Sequence, residues 1–245
     1  MTLSSLHLDL APTGKLRVGI NYGNPVLATR DRNSGQLAGV AVDLARELGR
    51  RTDLPMELVG FESAGKMVEG LQAAAWDVAF LAVDPGREGE INFTAPYIEI
   101  EGTYLVPPGS AIGTIADVDG ENVRIGVSGK SAYDLFLSRN LKHAQLLRAS
   151  SPEAAFELIV AGKVDALGGV RQHLMANTGK LPGSRVLDGR FMAIQQALGI
   201  PKSREAGLNY LREFIEHVKA SGFVARALEK AGVQGVSIAP IMTGK

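Results

Sequence analysis

The sequence predicts a two-lobed α/β protein in which each lobe is built on a parallel sheet with helices on both faces. Three observations carry this expectation. Short apolar runs alternate with amphipathic segments in β-α-β-α-β order, the pattern of parallel strands joined by helical crossovers. The order occurs twice: LRVGINYG at 16–23 is echoed by VRIGVSGK at 123–130, and LQAAAWDVAFLA at 71–82 by LIVAGKVDALGG at 158–169. Extended stretches follow each run, at 98–106 and, without charge, at 191–200, so the chain crosses between lobes twice, near 101–103 and near 195–197. Two crossover segments suit a hinge with a cleft.

In the first lobe, 16–20 (LRVGI) reads as a strand and 21–33, rich in Gly, Pro and Asn, as a loop. Over 40–50, Val40, Leu44, Ala45 and Leu48 share one helical face while Asp43, Arg46, Glu47 and Arg50 lie outside it. A second strand is expected at 56–59. Ser63 is placed to cap a helix over 64–75 whose Met67, Val68 and Leu71 face inward. The stretch 78–97, VAFLAVDPGREGEINFTAPY, organises the rest. Its first five residues carry no charge and read as a buried strand. Asp84-Pro85-Gly86 ends that strand in a turn. Arg87 then stands at the carboxyl edge of the sheet, where open α/β sheets bind ligands, with a planar fork of donors matched to a carboxylate. A solvated pairing with Glu88 or Glu90 is the competing reading of this residue.

The second lobe repeats the scheme, with strands at 123–127, 145–148, 164–167 and 185–187. Ser131 with Asp134 resembles a capping box opening a helix over 132–140. Ser151-Pro152 opens another, to 161, with Ser as N-cap and Pro at the first helical position. A helix is expected at 172–177, and amphipathic helices at 205–219 and 222–231 close the chain.

Composition narrows function. Lys+Arg and Asp+Glu balance at 26 each, so no overall field draws nucleic acid or an anionic membrane. With no cysteine, disulfides and thiolate metal sites are excluded and either redox compartment is allowed. His7, His143, His173 and His217 lack ligand spacing, so neither a metal nor a cofactor is expected. No apolar run approaches the roughly 18 residues of a membrane span. MTLSSLHLDLAPTGK shows no charged segment leading into an apolar one, so no signal peptide is expected, and a cytoplasmic location follows if Met1 is the native start. Gly129-Lys130-Ser131 matches the end of a phosphate-binding loop, but Arg124 stands where that motif needs glycine. No nucleophile elbow or Ser/His/Asp spacing occurs.

Several segments together carry a family resemblance: GKLRVGINYGNP, GQLAGVAVDLARELGRR, GLQAAAWDVAF, GREGEINFTAPY, GVSGKSAYD, KVDAL and ALGIPKS. The chain resembles the solute-binding proteins of family 3, the type II periplasmic-binding-protein fold of amino-acid uptake by ABC transporters, over 14–235. The resemblance implies a Venus-flytrap with lobe 1 at 1–103 plus 196–245 and lobe 2 at 104–195. It implies a monomer that closes over a small carboxylate-bearing ligand and serves an ABC transporter membrane component in the periplasm. Arg87 falls on the family's carboxylate-binding arginine. Ala82 falls where the backbone contacts the ligand, and Asp84 takes the usual place of a Thr. Asn24 and Phe61 lie in loops that form side-chain walls. Ser131 and Ala132 sit at a helix N-terminus that favours an anion. Gly169 and Val170 in lobe 2 and Gln195 at the second crossover complete the implied site.

One departure stands out. Amino-acid binders place an Asp where this chain has Val170, followed by Arg171, so the ammonium anchor is expected to be missing. Plain α-amino acids are then expected to bind no better than deaminated analogues, unless Glu101 or Asp84 takes over. The alternative within the fold is an enzyme resembling cyclohexadienyl dehydratases, with Glu101, Glu62 or Asp84 as acid, or a cytoplasmic sensor or scavenger.

Overall fold

The apolar runs that open the chain become three parallel strands of one sheet. In the computed structural model, which describes residues 3–242, β1 (Leu16–Asn21) lies between β4 (Met56–Phe61) and β5 (Val78–Ala82). Register runs from Leu16↔Met56 to Asn21↔Phe61 on one side and through Val18↔Val78 on the other. Every residue of β5 is buried, as its lack of charge anticipates. An antiparallel strand, β12 (Met192–Pro201), borders β5 with Gln196 opposite Ala82 and Leu198 opposite Phe80, and β6 (Ile91–Phe93) pairs with β12 in turn. Met1, on which the expected compartment turned, lies outside the described residues.

The chain divides into two compact units: 1–62, 66–99 and 195–245 form the first, and 63–65 with 100–194 the second. In the first, α2 (Val40–Thr52) and α3 (Ala64–Gln72) connect the parallel strands, and α7 (Glu205–Ala220) and α8 (Phe223–Lys230) follow β12. Val40, Leu44, Ala45 and Leu48 are fully buried. The helix α3 stops three residues short of expectation, although three alanines follow Gln72. Ala74 adopts a left-handed φ of 49° and Ala75 N–H reaches back to the Gly70 carbonyl at 2.8 Å, closing the helix for a tight entry into β5. Two elements were not anticipated. The leader folds as α1 (Leu3–Leu10), packed on α7 with Leu6 and Leu10 buried, and the expected loop contains a small hairpin, β2 (Thr29–Arg30) with β3 (Leu37–Ala38).

The second unit repeats the strand order. Its β8 (Arg124–Ser128) lies between the parallel strands β9 (Gln145–Ala149) and β10 (Ala166–Val170), and the antiparallel β7 (Ile98–Val106) borders β10. The third strand begins two residues later than expected, at Ala166, and Asp165 just before it is tied to the start of β8, its N–H donating to the Arg124 carbonyl at 2.8 Å. β10 and β7 pair regularly from Leu167↔Leu105 to Val170↔Gly102, so Gly168-Gly169 introduces no bulge. The helix α4 (Ala132–Asn140) matches expectation to the residue, and α5 (Pro152–Val160) carries the expected Ser151 cap, whose Oγ accepts from Ala154 N–H at 3.1 Å. Leu105, Phe156, Ile159, Leu167 and Leu174 form a core beneath it.

Each unit pins its third strand with the same Arg–Asp clamp. Asp77, fully buried, accepts Arg17 Nε at 2.8 Å and Nη2 at 2.9 Å; Asp165 accepts Arg124 Nε at 3.0 Å and Nη2 at 2.9 Å. In both pairs the arginine's own N–H also donates to the carboxylate. The clamps give the sequence echo a common physical role.

Candidate functional site

Strand β5 delivers the chain to the turn that holds Arg87. Val83 N–H donates to the Gln195 carbonyl at 2.9 Å, which extends the pairing with β12 by one residue. Asp84 then folds the turn: its Oδ1 accepts Gly86 N–H at 2.8 Å and its carbonyl accepts Arg87 N–H at 2.9 Å. The turn brings the guanidinium back over the strand end, where Nη1 donates to the Ala82 carbonyl at 2.6 Å. Arg87 is 5% exposed and Asp84 3%, so the solvated reading of Arg87 does not hold. Burial pulls the guanidinium down to about 10, against the pull of the Asp84 charge in the other direction. The side chain therefore keeps its charge at neutral pH. The carbonyl of Ala82 serves Arg87 itself, which was not foreseen.

The other residues named in the first unit have defined local duties. Asn24 is buried and its Oδ1 accepts Val26 N–H at 3.1 Å, so its side chain builds the turn after β1. Phe61 ends β4 rather than lying in a loop, and its ring covers Gly70 of α3 so closely that a methyl there would stand 2.8 Å from two ring atoms. Gln195 is exposed and its amide donates to Glu99 at 3.1 Å. Its neighbour is the one turned inward. Gln196 is 4% exposed, and its Oε1 has no hydrogen-bond partner among the described residues. Sequence reasoning missed it because two consecutive glutamines in a strand are indistinguishable until the register is known.

In the second unit, β8 runs into a turn at Lys130, which takes a left-handed φ of 59°. Ser131 caps α4 by accepting Asp134 N–H at 3.1 Å. Asp134 reaches past Ser131 to accept Lys130 N–H at 2.8 Å and is held by Arg148 Nε at 2.9 Å. A carboxylate of the chain thus already stands at this helix N-terminus, where Ala132 is buried. Behind it the Tyr133 hydroxyl is pushed up to about 12, chiefly by burial, with Ser131 and Ser128 acting the other way. Gly169 lies against Leu174, whose side chain would stand 3.1 Å from a methyl at that position, a tight fit. Val170, buried and apolar, ends β10.

Beside it Arg171, which opens α6 (Arg171–Asn177), turns its Nε to Glu101 at 2.6 Å and its remaining nitrogens to the carbonyls of Leu187 and Gly189. The cation expected next to Val170 is therefore committed, and Glu101 with it.

Comparison with known proteins places the chain in a family. Over 139 residues, 56% of the chain, it is 27% identical to the virulence sensor protein BvgS of Bordetella pertussis, and spans 11% of that protein's length. Over 204 residues it is 22% identical to the glutamine-binding protein of Geobacillus stearothermophilus, covering 77% of this chain and 73% of that one. The solved structure of the solute receptor for L-cysteine of Neisseria gonorrhoeae shares the fold with a TM-score of 0.81 at 23% identity, over 96% of each chain. Residues 16–234 match the bacterial extracellular solute-binding proteins, family 3. The chain belongs to that family, and its fold is that of the type II periplasmic binding proteins.

Proposed function

We propose that this chain is a binding protein rather than an enzyme, one that closes over a small carboxylate-bearing ligand, an amino acid or organic acid, and presents it to an ABC-type membrane component. The observation that carries the reading is Arg87: a buried, charged guanidinium at the carboxyl edge of parallel strands, held from behind by the Ala82 carbonyl. Such a group has lost its water and regains stabilisation from an anion with two parallel acceptors. The names of the relatives, a glutamine-binding protein and a receptor for L-cysteine, point to the same ligand class. Glu101 is committed to Arg171, and Glu62 is exposed, which favours binding over acid-catalysed elimination.

Native mass spectrometry of the purified protein, followed by a thermal-shift screen of amino and organic acids, tests this. A ligand recovered unchanged that stabilises by about 2.7 kcal/mol at a hundredfold excess over Kd supports it. Turnover of a prephenate-like acid, or stabilisation by no carboxylate, overturns it.

A further inference from the structure

We propose that the outer face of α2, together with α8, forms a basic groove that docks a carboxylate-rich segment of a partner protein. Neither the groove nor its test involves Arg87.

The groove lies wholly within the first unit and away from its sheet. On α2, Val40, Leu44, Ala45 and Leu48 are buried in the core, which leaves Asp43, Arg46, Glu47 and Arg50 on the opposite face. There α8 packs alongside and adds Phe223, Arg226, Ala227 and Lys230, closing a depression of about 330 Å³. A helix diameter, about 10 Å, stands between this depression and the strands. Two further grooves open on Arg46. One follows the β2–β3 hairpin past Arg30, and the other runs by Arg50 to the turn at 53–56 that enters β4. The surface is elongated, longer than a small anion needs.

Charge in the groove is layered. The two carboxylates lie low, with the side chains of Asp43 and Glu47 16% and 11% exposed. The cations stand above them: Arg46, Arg50 and Lys230 are 58%, 69% and 70% exposed, and Arg226 is exposed as well. Glu47 accepts Arg50 Nε and Nη2 at 2.8 Å each and Arg51 Nε at 2.6 Å, while Asp43 accepts Lys230 Nζ at 2.8 Å. Both acids are spent within the layer, and they hold the cations in place. Among the described residues Arg50 Nη1 has no acceptor, and Arg226 has only the Ser221 carbonyl, at 3.1 Å. The groove therefore turns positive charge outward, although the chain as a whole is balanced.

Arginine forks match carboxylates, and clusters of them recognise acidic segments of proteins. Shape decides the class of partner. An anionic membrane takes a face whose apolar side chains stand out, but here Ala227 is buried and Phe223 half-buried in a concave surface. A nucleic acid calls for a basic domain, and this chain carries 26 cations against 26 acids. An extended acidic segment fits the length of the groove, its carboxylates meeting Arg46, Arg50 and Arg226 and an apolar side chain meeting Phe223.

The test is fluorescence anisotropy of the full chain with a labelled acidic peptide, DEDFDEDLDEDF, against its amide counterpart, NQNFNQNLNQNF. The acidic peptide should bind at least tenfold more tightly than the amide one. Raising sodium chloride from about 0.05 to about 0.5 M should weaken it by about tenfold or more. Arg46→Glu combined with Arg226→Glu should cost at least tenfold in affinity, with thermal melts confirming the fold. Should that pair melt early, Arg46→Gln with Arg226→Gln carries the test, with at least a threefold loss expected. Equal binding of the two peptides, or acidic-peptide affinity unchanged in the variants, overturns the inference. So does tighter binding of vesicles of equal parts phosphatidylglycerol and phosphatidylcholine, of duplex DNA or of pyrophosphate that the same variants abolish, which assigns the groove to a membrane, a nucleic acid or a small anion. Self-association in sedimentation that the variants abolish overturns it as well and assigns the groove to a second copy of the chain.

Discussion

Replacing Arg87 by alanine should abolish carboxylate binding. Burial lowers this guanidinium to about 10 from an ordinary 12.5, a bias against the charged form of roughly 3 kcal/mol. A ligand carboxylate facing the fork relieves that bias and adds charge-assisted hydrogen bonds. Removing the arginine leaves the ligand's charge buried without a partner, which costs about 3–5 kcal/mol, or roughly two to four decades in Kd. Arg87→Lys should lose at least an order of magnitude as well, since an ammonium reproduces neither the two parallel bonds nor the reach to the Ala82 carbonyl. Calorimetric titration of parent, Arg87→Lys and Arg87→Ala with the best ligand from the screen measures both effects. An alanine variant that stays folded and binds within threefold of the parent would refute the assignment.

Three further outcomes test the framework around the site. Asp77→Ala leaves Arg17 and Arg204 facing each other across a fully buried position, and should cost about 3–5 kcal/mol in chemical unfolding. Burial pushes the Asp77 carboxyl up, but the hydrogen bonds from Arg17 and Arg204 together hold it below its ordinary value, so its contribution is complete above the unfolded carboxyl pKa, about 3.9, and is lost as pH falls through the lower folded value. The gap between parent and variant should therefore narrow in acid, and a gap that widens there sinks the idea. Gly70→Ala gains about 1 kcal/mol of helix propensity but pushes a methyl to 2.8 Å from the Phe61 ring. Overpacking costs about 1–3 kcal/mol, so the variant should melt at or below the parent temperature; a clear rise counts against the packing. Ser151→Ala removes the cap of α5 and should cost about 1 kcal/mol, a value that a denaturant titration resolves.

The parts of this protein that depend on neighbouring residues were legible in advance. An uncharged five-residue run fixes β5 as buried, Asp84-Pro85-Gly86 ends it, and Ser131 and Ser151 start α4 and α5 where a side-chain oxygen meets a free N–H. Trp76 shows the limit of such local reading. Its indole donates to the Met67 carbonyl at 2.8 Å and helps close α3 early, a bond that spans nine residues and outweighs the helix preference of the alanines between.

By itself, then, the sequence determined the βαβ order, its repetition, the caps and the position of Arg87 after a strand. Only the tertiary structure decided what each polar group faces. Arg171, expected as a cation beside Val170, is bound to Glu101, seventy residues away; Asp77 draws in Arg204 from 127 residues on. Gln195 and Gln196 differ in nothing the sequence displays, yet one is exposed and bound to Glu99 while the other is buried opposite Ala82. Along a strand successive side chains point to opposite faces, so a single step of register exchanges inside for outside. That step is set by hydrogen bonds to a partner strand more than a hundred residues away in the chain, and no local pattern records it.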